Sequence, residues 1–71
     1  MDKETAQRVI TLMFECSRTI NESAILLQEE CSDTEFKAYR TACGKILGEI
    51  HTEILTPIFI EHPDLEHMLD S

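Results

Sequence analysis

The feature that most constrains this chain is an uninterrupted heptad pattern in its first half. Small or apolar residues recur alternately four and three positions apart at Ala6, Ile10, Met13, Ser17, Ile20, Ala24, Leu27 and Cys31. No Gly or Pro interrupts the pattern, and Asp2 stands where an N-cap residue is favoured. A seam that persists for more than three heptads is typical of a long helix packed along other helices. We therefore predict a helix over about residues 3–31.

The apolar arc of this first helix is wider than one seam. Val9, Leu12 and Cys16 extend it on one flank, and Phe14 and Ile25 extend it on the other. A helix in a simple two-helix hairpin buries only one stripe of side chains. The width of the arc therefore predicts that the helix has more than one packing partner.

A second helix is predicted to begin directly after the first. Ser32-Asp33-Thr34-Glu35 has the form of a capping box, in which the Ser32 hydroxyl accepts from the Glu35 amide and the Glu35 carboxylate reaches back to the Ser32 amide. The second apolar face that follows consists of Phe36, Tyr39, Cys43, Ile46, Leu47, Ile50 and Ile54. Because the loop is very short, the two helices should be antiparallel neighbours. We predict this helix over about residues 33–55, followed by a short helical extension over about 57–70 that starts at Pro57.

Two glycines lie beside the main apolar face of the second helix. Gly44 and Gly48 are four residues apart, so they occupy one ridge and allow another backbone to come close. His51 and Leu55 continue the ridge. The sequence therefore predicts an interface with another helix, made by Gly44, Gly48, His51, Leu55, Phe14 and Ile25.

Chain length supports self-association. A chain of 71 residues is a single domain, residues 1–71, and buries only about 60% of the surface that its unfolded form exposes. Small chains of this kind gain stability from regular helix packing or from oligomerisation. We predict an all-α fold: an antiparallel two-helix hairpin with a short C-terminal helical segment, paired as a homodimer into a four-helix bundle.

Composition excludes several classes of partner. The net charge is −8, from fourteen Asp and Glu against six Lys and Arg, and there is no basic cluster. Binding to nucleic acid or to an anionic membrane requires clustered Lys and Arg, so neither partner is expected. The first residues lack a secretory signal pattern, and no apolar run approaches the ~20 residues that span a bilayer. A cytoplasmic location is expected.

The chemistry-bearing side chains do not form a recognisable site. His62 and His67 are five apart with Pro63 between them, which does not place them on one helical face as a zinc site requires. Cys16 and Cys43 fall on apolar faces and are expected to be buried, whereas Cys31 lies at the turn and is the candidate reactive thiol. No cofactor, no metal and no enzymatic activity are expected.

The sequence thus favours a small cytosolic adaptor or regulator that acts through protein–protein interaction, with itself and with an unidentified protein. One alternative is an acidic inhibitor, or nucleic-acid mimic, that binds a basic protein, because opposite charges steer association. A second alternative is a metal or redox sensor that uses its His and Cys residues.

Overall fold

The protein is entirely helical between short connections in a computed structural model, which describes residues 1–70 and the side chains of residues 1–69. No β-strand occurs in this part of the chain, which confirms the predicted all-α class. The elements in chain order are α1 (Lys3–Glu30), α2 (Asp33–Glu49), a π segment (Ile50–Leu55), α3 (Thr56–Glu61) and a 3-10 segment (Pro63–Asp70).

Side-chain caps fix the start of each long helix. The Asp2 carboxylate accepts a hydrogen bond of 2.7 Å from the Thr5 amide, and the contact with Thr5 lowers the pKa of Asp2. At the turn, the backbone of Cys31 and Ser32 is extended. The Ser32 hydroxyl accepts from the Glu35 amide at 3.2 Å and donates to the Glu35 carboxylate at 3.3 Å. The first bond of the predicted box therefore forms, whereas the Glu35 carboxylate accepts from the Ser32 hydroxyl instead of from the Ser32 amide.

The two long helices run antiparallel in a hairpin-like arrangement. Between them the hydroxyl oxygens of Ser23 and Tyr39 lie 2.7 Å apart. This contact sets the alignment of α1 and α2, because both helices rise by the same distance per residue.

The helical chain that begins with α2 continues past Leu55, where the second helix was predicted to end. In the π segment the Thr56 amide donates to the carbonyl of His51, five residues earlier, and the Thr56 hydroxyl donates to the same carbonyl at 3.0 Å. Pro57 lacks an amide hydrogen, and its ring would clash with the carbonyl four residues earlier in a regular α-helix. The wider π turns precede Pro57 and let the chain remain helical through α3 to Glu61.

The hydrophobic core lies at the end of the molecule away from the hairpin turn. Its buried members are Ala6, Ile10, Leu55, Ile58, Phe59 and Leu65. Half-buried residues packed against this cluster are Val9, Met13, Phe14, Ile50 and Met68. Leu65 is fully buried, so the 3-10 segment docks on the hairpin and contributes to its core. The molecule is elongated, at 45 × 18 × 16 Å, and the core occupies one end of it.

Polar contacts join the beginning of α1 to the segments that follow α3. Lys3 forms an ion pair with Asp64, and this partner lowers the pKa of the Asp64 carboxyl. The amino group of Met1 donates to the Glu61 carboxylate at 3.0 Å and lowers the pKa of that group. His62 Nε2 lies 2.9 Å from the Met1 carbonyl oxygen. These contacts hold the C-terminal segment beside the start of α1.

Candidate functional site

The part of the hairpin toward the turn has two open faces, on opposite sides of the plane that contains α1 and α2. Ser23 and Tyr39 lie on the first side, where their hydroxyl groups meet. Residues seven apart on a helix occupy nearly the same side, so Cys16 and Ile46 lie on this side too, one heptad closer to the core. They come opposite each other, because each is the same distance from the Ser23–Tyr39 contact.

This first side carries a continuous apolar strip. On α1 a groove of about 400 Å³ is lined by Leu12, Glu15, Cys16, Thr19 and Ile20. Leu12 and Ile46 are 55% and 50% exposed, respectively, and Leu26 extends the strip toward the turn with 57% of its surface exposed. From Leu12 to Leu26 the strip is about 21 Å long at 1.5 Å per residue. Aliphatic side chains this exposed, aligned on one side of the hairpin, are a feature that an interaction surface would require.

Most of the charged residues that border this strip are acidic, although Arg8 lines a groove with Leu12 at the end of the strip near the core. Glu15 lines the groove on α1. Glu35 and Glu49 lie one heptad to each side of Ala42, which is on the same side of α2 as Ile46. Within the described residues, no ion pair engages Glu15 or Glu49. We call this surface the acid-rimmed face; it consists of Leu12, Glu15, Cys16, Thr19, Ile20, Leu26, Glu35, Ala42, Ile46 and Glu49.

The opposite side of the hairpin contains a second groove, of about 480 Å³. It is lined by Phe14, Ser17, Arg18, Asn21, Glu22, Ile25, Met68 and Leu69. The 3-10 segment covers the groove near Phe14, whereas Ile25, closer to the turn, is 55% exposed. The structure therefore places the two predicted interface residues of α1, Phe14 and Ile25, in one groove.

The two glycines lie on this same side. Gly44 and Gly48 are each two residues from Ile46, which at 3.6 residues per turn places them on the opposite side of α2. Apart from the adjacent residues and the backbone of α2 itself, no atom of the described chain lies within 4 Å of the position that a Cβ would occupy at either glycine. Lys37 and Arg40 precede the glycines on the neighbouring positions of α2. We call this surface the glycine face; it consists of Phe14, Arg18, Asn21, Glu22, Ile25, Lys37, Arg40, Gly44 and Gly48.

The other two predicted interface residues, His51 and Leu55, differ from each other in exposure. His51 is exposed in the π segment. Leu55 is only 4% exposed and belongs to the core of its own chain, so it is not available to another subunit. The reason is the π segment: its wider turns each hold about one residue more than an α turn, which rotates Leu55 away from the glycine ridge and into the core.

The exposure of the thiols agrees only in part with the prediction. Cys43 is buried, as predicted, but Cys16 is exposed, because α2 covers only one stripe of α1 and leaves the flank with Leu12 and Cys16 open. Cys31, the candidate reactive thiol, is half-buried. Loss of hydration, and then the negative charge of Glu35, raise the pKa of its thiol. The reactive thiolate is therefore disfavoured at Cys31.

Thiol labelling should follow this order of exposure. We expect Cys16 to react fastest with a neutral maleimide in the native protein, Cys31 more slowly, and Cys43 only on unfolding. Mass spectrometry of peptides from a quenched time course measures the three rates. Protection of Cys16 in the native protein would show that the acid-rimmed face is already covered, and equal rates at all three sites would contradict the helix faces described above.

The histidines are not brought together. His62 contacts Met1 and Glu61, whereas His67 Nδ1 lies 2.6 Å from the carbonyl oxygen of Asp64. Among the side chains of residues 1–69, no three of His, Cys, Asp or Glu gather around a common position that could hold a metal ion.

From the sequence alone, the acid-rimmed face is recognisable only as one flank of the wide apolar arc of α1. The signal was present, because Leu12 and Cys16 extend the arc of α1 opposite Phe14 and Ile25. What the sequence lacked was the position of α2 and of the 3-10 segment, which decides which flank stays open.

Comparisons of the chain with protein families, with characterised proteins and with solved structures give no match. In the part of the chain that the structure describes, no helix combines the length and the apolar character that crossing a bilayer would require. The functional argument therefore depends on the two open faces.

Proposed function

We propose that this protein is a cytoplasmic protein–protein interaction module without enzymatic activity, which acts as a homodimer of helical hairpins. One observation carries the proposal. Within the described residues, six of the seven buried apolar residues form one cluster at the end away from the turn, while large aliphatic side chains along both sides of the hairpin, and Ile60 in α3, stay exposed. A half-covered hairpin of this size gains stability when a partner covers it.

The glycine face is the surface that best suits a second copy. Its ridge of Gly44 and Gly48 has open space where side chains would otherwise stand, so a helix of the partner can approach its backbone. Its border carries both signs of charge, with Arg18 and Arg40 on one hand and Glu22 on the other. A face that pairs with itself brings each charge near the partner's copy of the opposite one, so mixed charge favours self-association.

The acid-rimmed face is a poorer candidate for self-association. Two copies of Glu15 and Glu49 would be brought together there, with Arg8 beside Leu12 as a basic residue at one end, and an excess of like charge in an interface opposes its formation. Homodimerisation through the glycine face leaves this acidic surface free.

Sedimentation equilibrium tests the dimer. We expect about twice the monomer mass of 8.2 kDa at micromolar concentration. Ile25→Glu should weaken the dimer at least about tenfold, because it places a charge in the interface. Leu12→Glu is the matched control, since Leu12 and Ile25 are both 55% exposed on opposite faces. A monomer mass at every concentration contradicts the proposal, and a larger effect of Leu12→Glu contradicts the choice of face.

A further inference from the structure

We propose that the acid-rimmed face binds an amphipathic helix of another protein, one that carries Lys or Arg on both sides of an apolar stripe. The inference rests on the proposed interaction function and names the class of partner. It is carried by the shape, apolar centre and border charges of one surface.

The shape of the face suits a helix. The strip runs along α1 for about 21 Å, which is the length of about four helical turns. Its centre is aliphatic, with Leu12 and Ile46 half exposed on either side of Cys16. A helix laid along such a strip covers it with residues at i, i+3, i+4 and i+7, the pattern by which helices dock in grooves.

The charges select the partner. Glu15 borders the strip on α1 and Glu49 borders it on α2 at nearly the same level of the hairpin, because both lie next to the opposed pair Cys16 and Ile46. Glu35 borders the strip near Leu26. A docked helix therefore meets carboxylates along both edges. Since Glu15 and Glu49 have no ion-pair partner within the described residues, basic side chains can engage both without breaking an existing bridge.

The same charges disfavour the other occupants. A second copy of this chain would bring further carboxylates to the edges, and an acidic helix would do the same. A helix with lysines beside its apolar stripe gains the aliphatic contact and complementary charge together, and the long stems of Lys and Arg add apolar contact at the edges.

The test uses a synthetic amphipathic helix of leucine and lysine, about 18 residues long, with the full-length protein. Two control peptides accompany it: one with the same composition but leucines spread around the helix, and one with glutamate in place of lysine. Fluorescence anisotropy of the labelled peptides measures binding. We expect the amphipathic leucine–lysine peptide to bind at least about tenfold more tightly than either control, and more weakly as salt rises.

Matched variants locate the site. Leu12→Ser and Glu49→Lys should each weaken binding about tenfold. Ile60→Ser, at an exposed aliphatic residue outside both faces, should leave binding unchanged, as should Glu66→Lys, which makes the same change in net charge in the 3-10 segment. The bound peptide should also slow maleimide labelling of Cys16 several-fold.

Three results would overturn the inference. These are equal binding of the leucine–lysine peptide and its reordered control, an effect of Ile60→Ser as large as that of Leu12→Ser, and unchanged labelling of Cys16 at saturating peptide. Sedimentation reports separately on the dimer. A dimer that fails to bind the peptide keeps the proposed assembly and loses this partner, whereas a monomer that binds it keeps the partner and loses the dimer.

Discussion

Leu65→Ala is expected to lower the free energy of unfolding by about 2–5 kcal/mol, the usual cost of removing a fully buried leucine side chain. Leu65 is 0% exposed and belongs to the cluster that holds Ile10, Ile58 and Phe59. A domain of this size has a total stability of only about 4–10 kcal/mol, at roughly 0.05–0.15 kcal/mol per residue. The substitution should therefore remove a large share of the stability of the fold.

Urea denaturation followed by circular dichroism at 222 nm measures the loss. The protein concentration must be the same for all variants, because dimer formation adds to the apparent stability. Leu69→Ala is the matched control: it lies in the same 3-10 segment but is 44% exposed, so its loss should stay below about 1 kcal/mol. Equal losses for the two variants, or a negligible loss for Leu65→Ala, would contradict the docking of this segment.

The importance of Leu65 follows from how the core is built. Two helices alone leave the first turns of α1 with a partner on one side only. The chain turns back after α3 and supplies a further packing partner, because Leu65 packs against the cluster formed with Ala6 and Ile10. The ion pair between Lys3 and Asp64 lies at the same end and fixes the returning segment beside α1. One end of the molecule thus resembles a small three-element bundle, and the other end remains a hairpin with open faces.

The local parts of this fold could be predicted from sequence because their causes are local. The Asp2 cap and the Ser32–Glu35 box depend on hydrogen bonds over three residues, and the structure forms the cap and the first bond of the box. The heptad seam of α1 and the lack of Gly or Pro within it are likewise visible in the sequence. The all-α class therefore needed no knowledge of tertiary packing.

The parts that could not be predicted depend on contacts between distant residues. The exposure of Cys16 is decided by where α2 lies, and periodicity alone assigned this thiol to the interior. The burial of Leu55 is decided by the π segment before Pro57, which changes the rotation of all later residues. Pro57 signalled a disturbance of the helix, but a kink, an end and a widened turn are all compatible with a proline.

The second large expected effect concerns Gly48 on the glycine face. A solvent-exposed glycine and a glycine packed against a second copy predict changes in stability of opposite sign. In a single chain, nothing lies within 4 Å of a Cβ at Gly48. Gly48→Ala would then stabilise α2 by about 0.5–1 kcal/mol through helix propensity and a smaller loss of backbone entropy. If a helix of a second copy packs there, the added methyl group separates the backbones and costs about 1–3 kcal/mol of dimer stability.

We expect the second result, with a larger loss for Gly48→Leu than for Gly48→Ala. Because only the dimer contains the close approach, the outcome should depend on protein concentration. At concentrations well below the dimer dissociation constant Gly48→Ala should be more stable than the wild-type protein, and well above it less stable. A loss of 1–3 kcal/mol corresponds to a dimer about five- to 150-fold weaker, since each 1.4 kcal/mol is a factor of ten.

Ala42→Gly supplies the control for propensity. Ala42 is exposed on the other side of the same helix, so its replacement should cost about 0.5–1 kcal/mol at every protein concentration and leave dimer affinity unchanged. Denaturation of the three variants over a hundredfold range of concentration separates the two explanations. If Gly48→Ala is stabilising throughout that range and dimer affinity does not change, the glycines face solvent, and any dimer must then form through another surface.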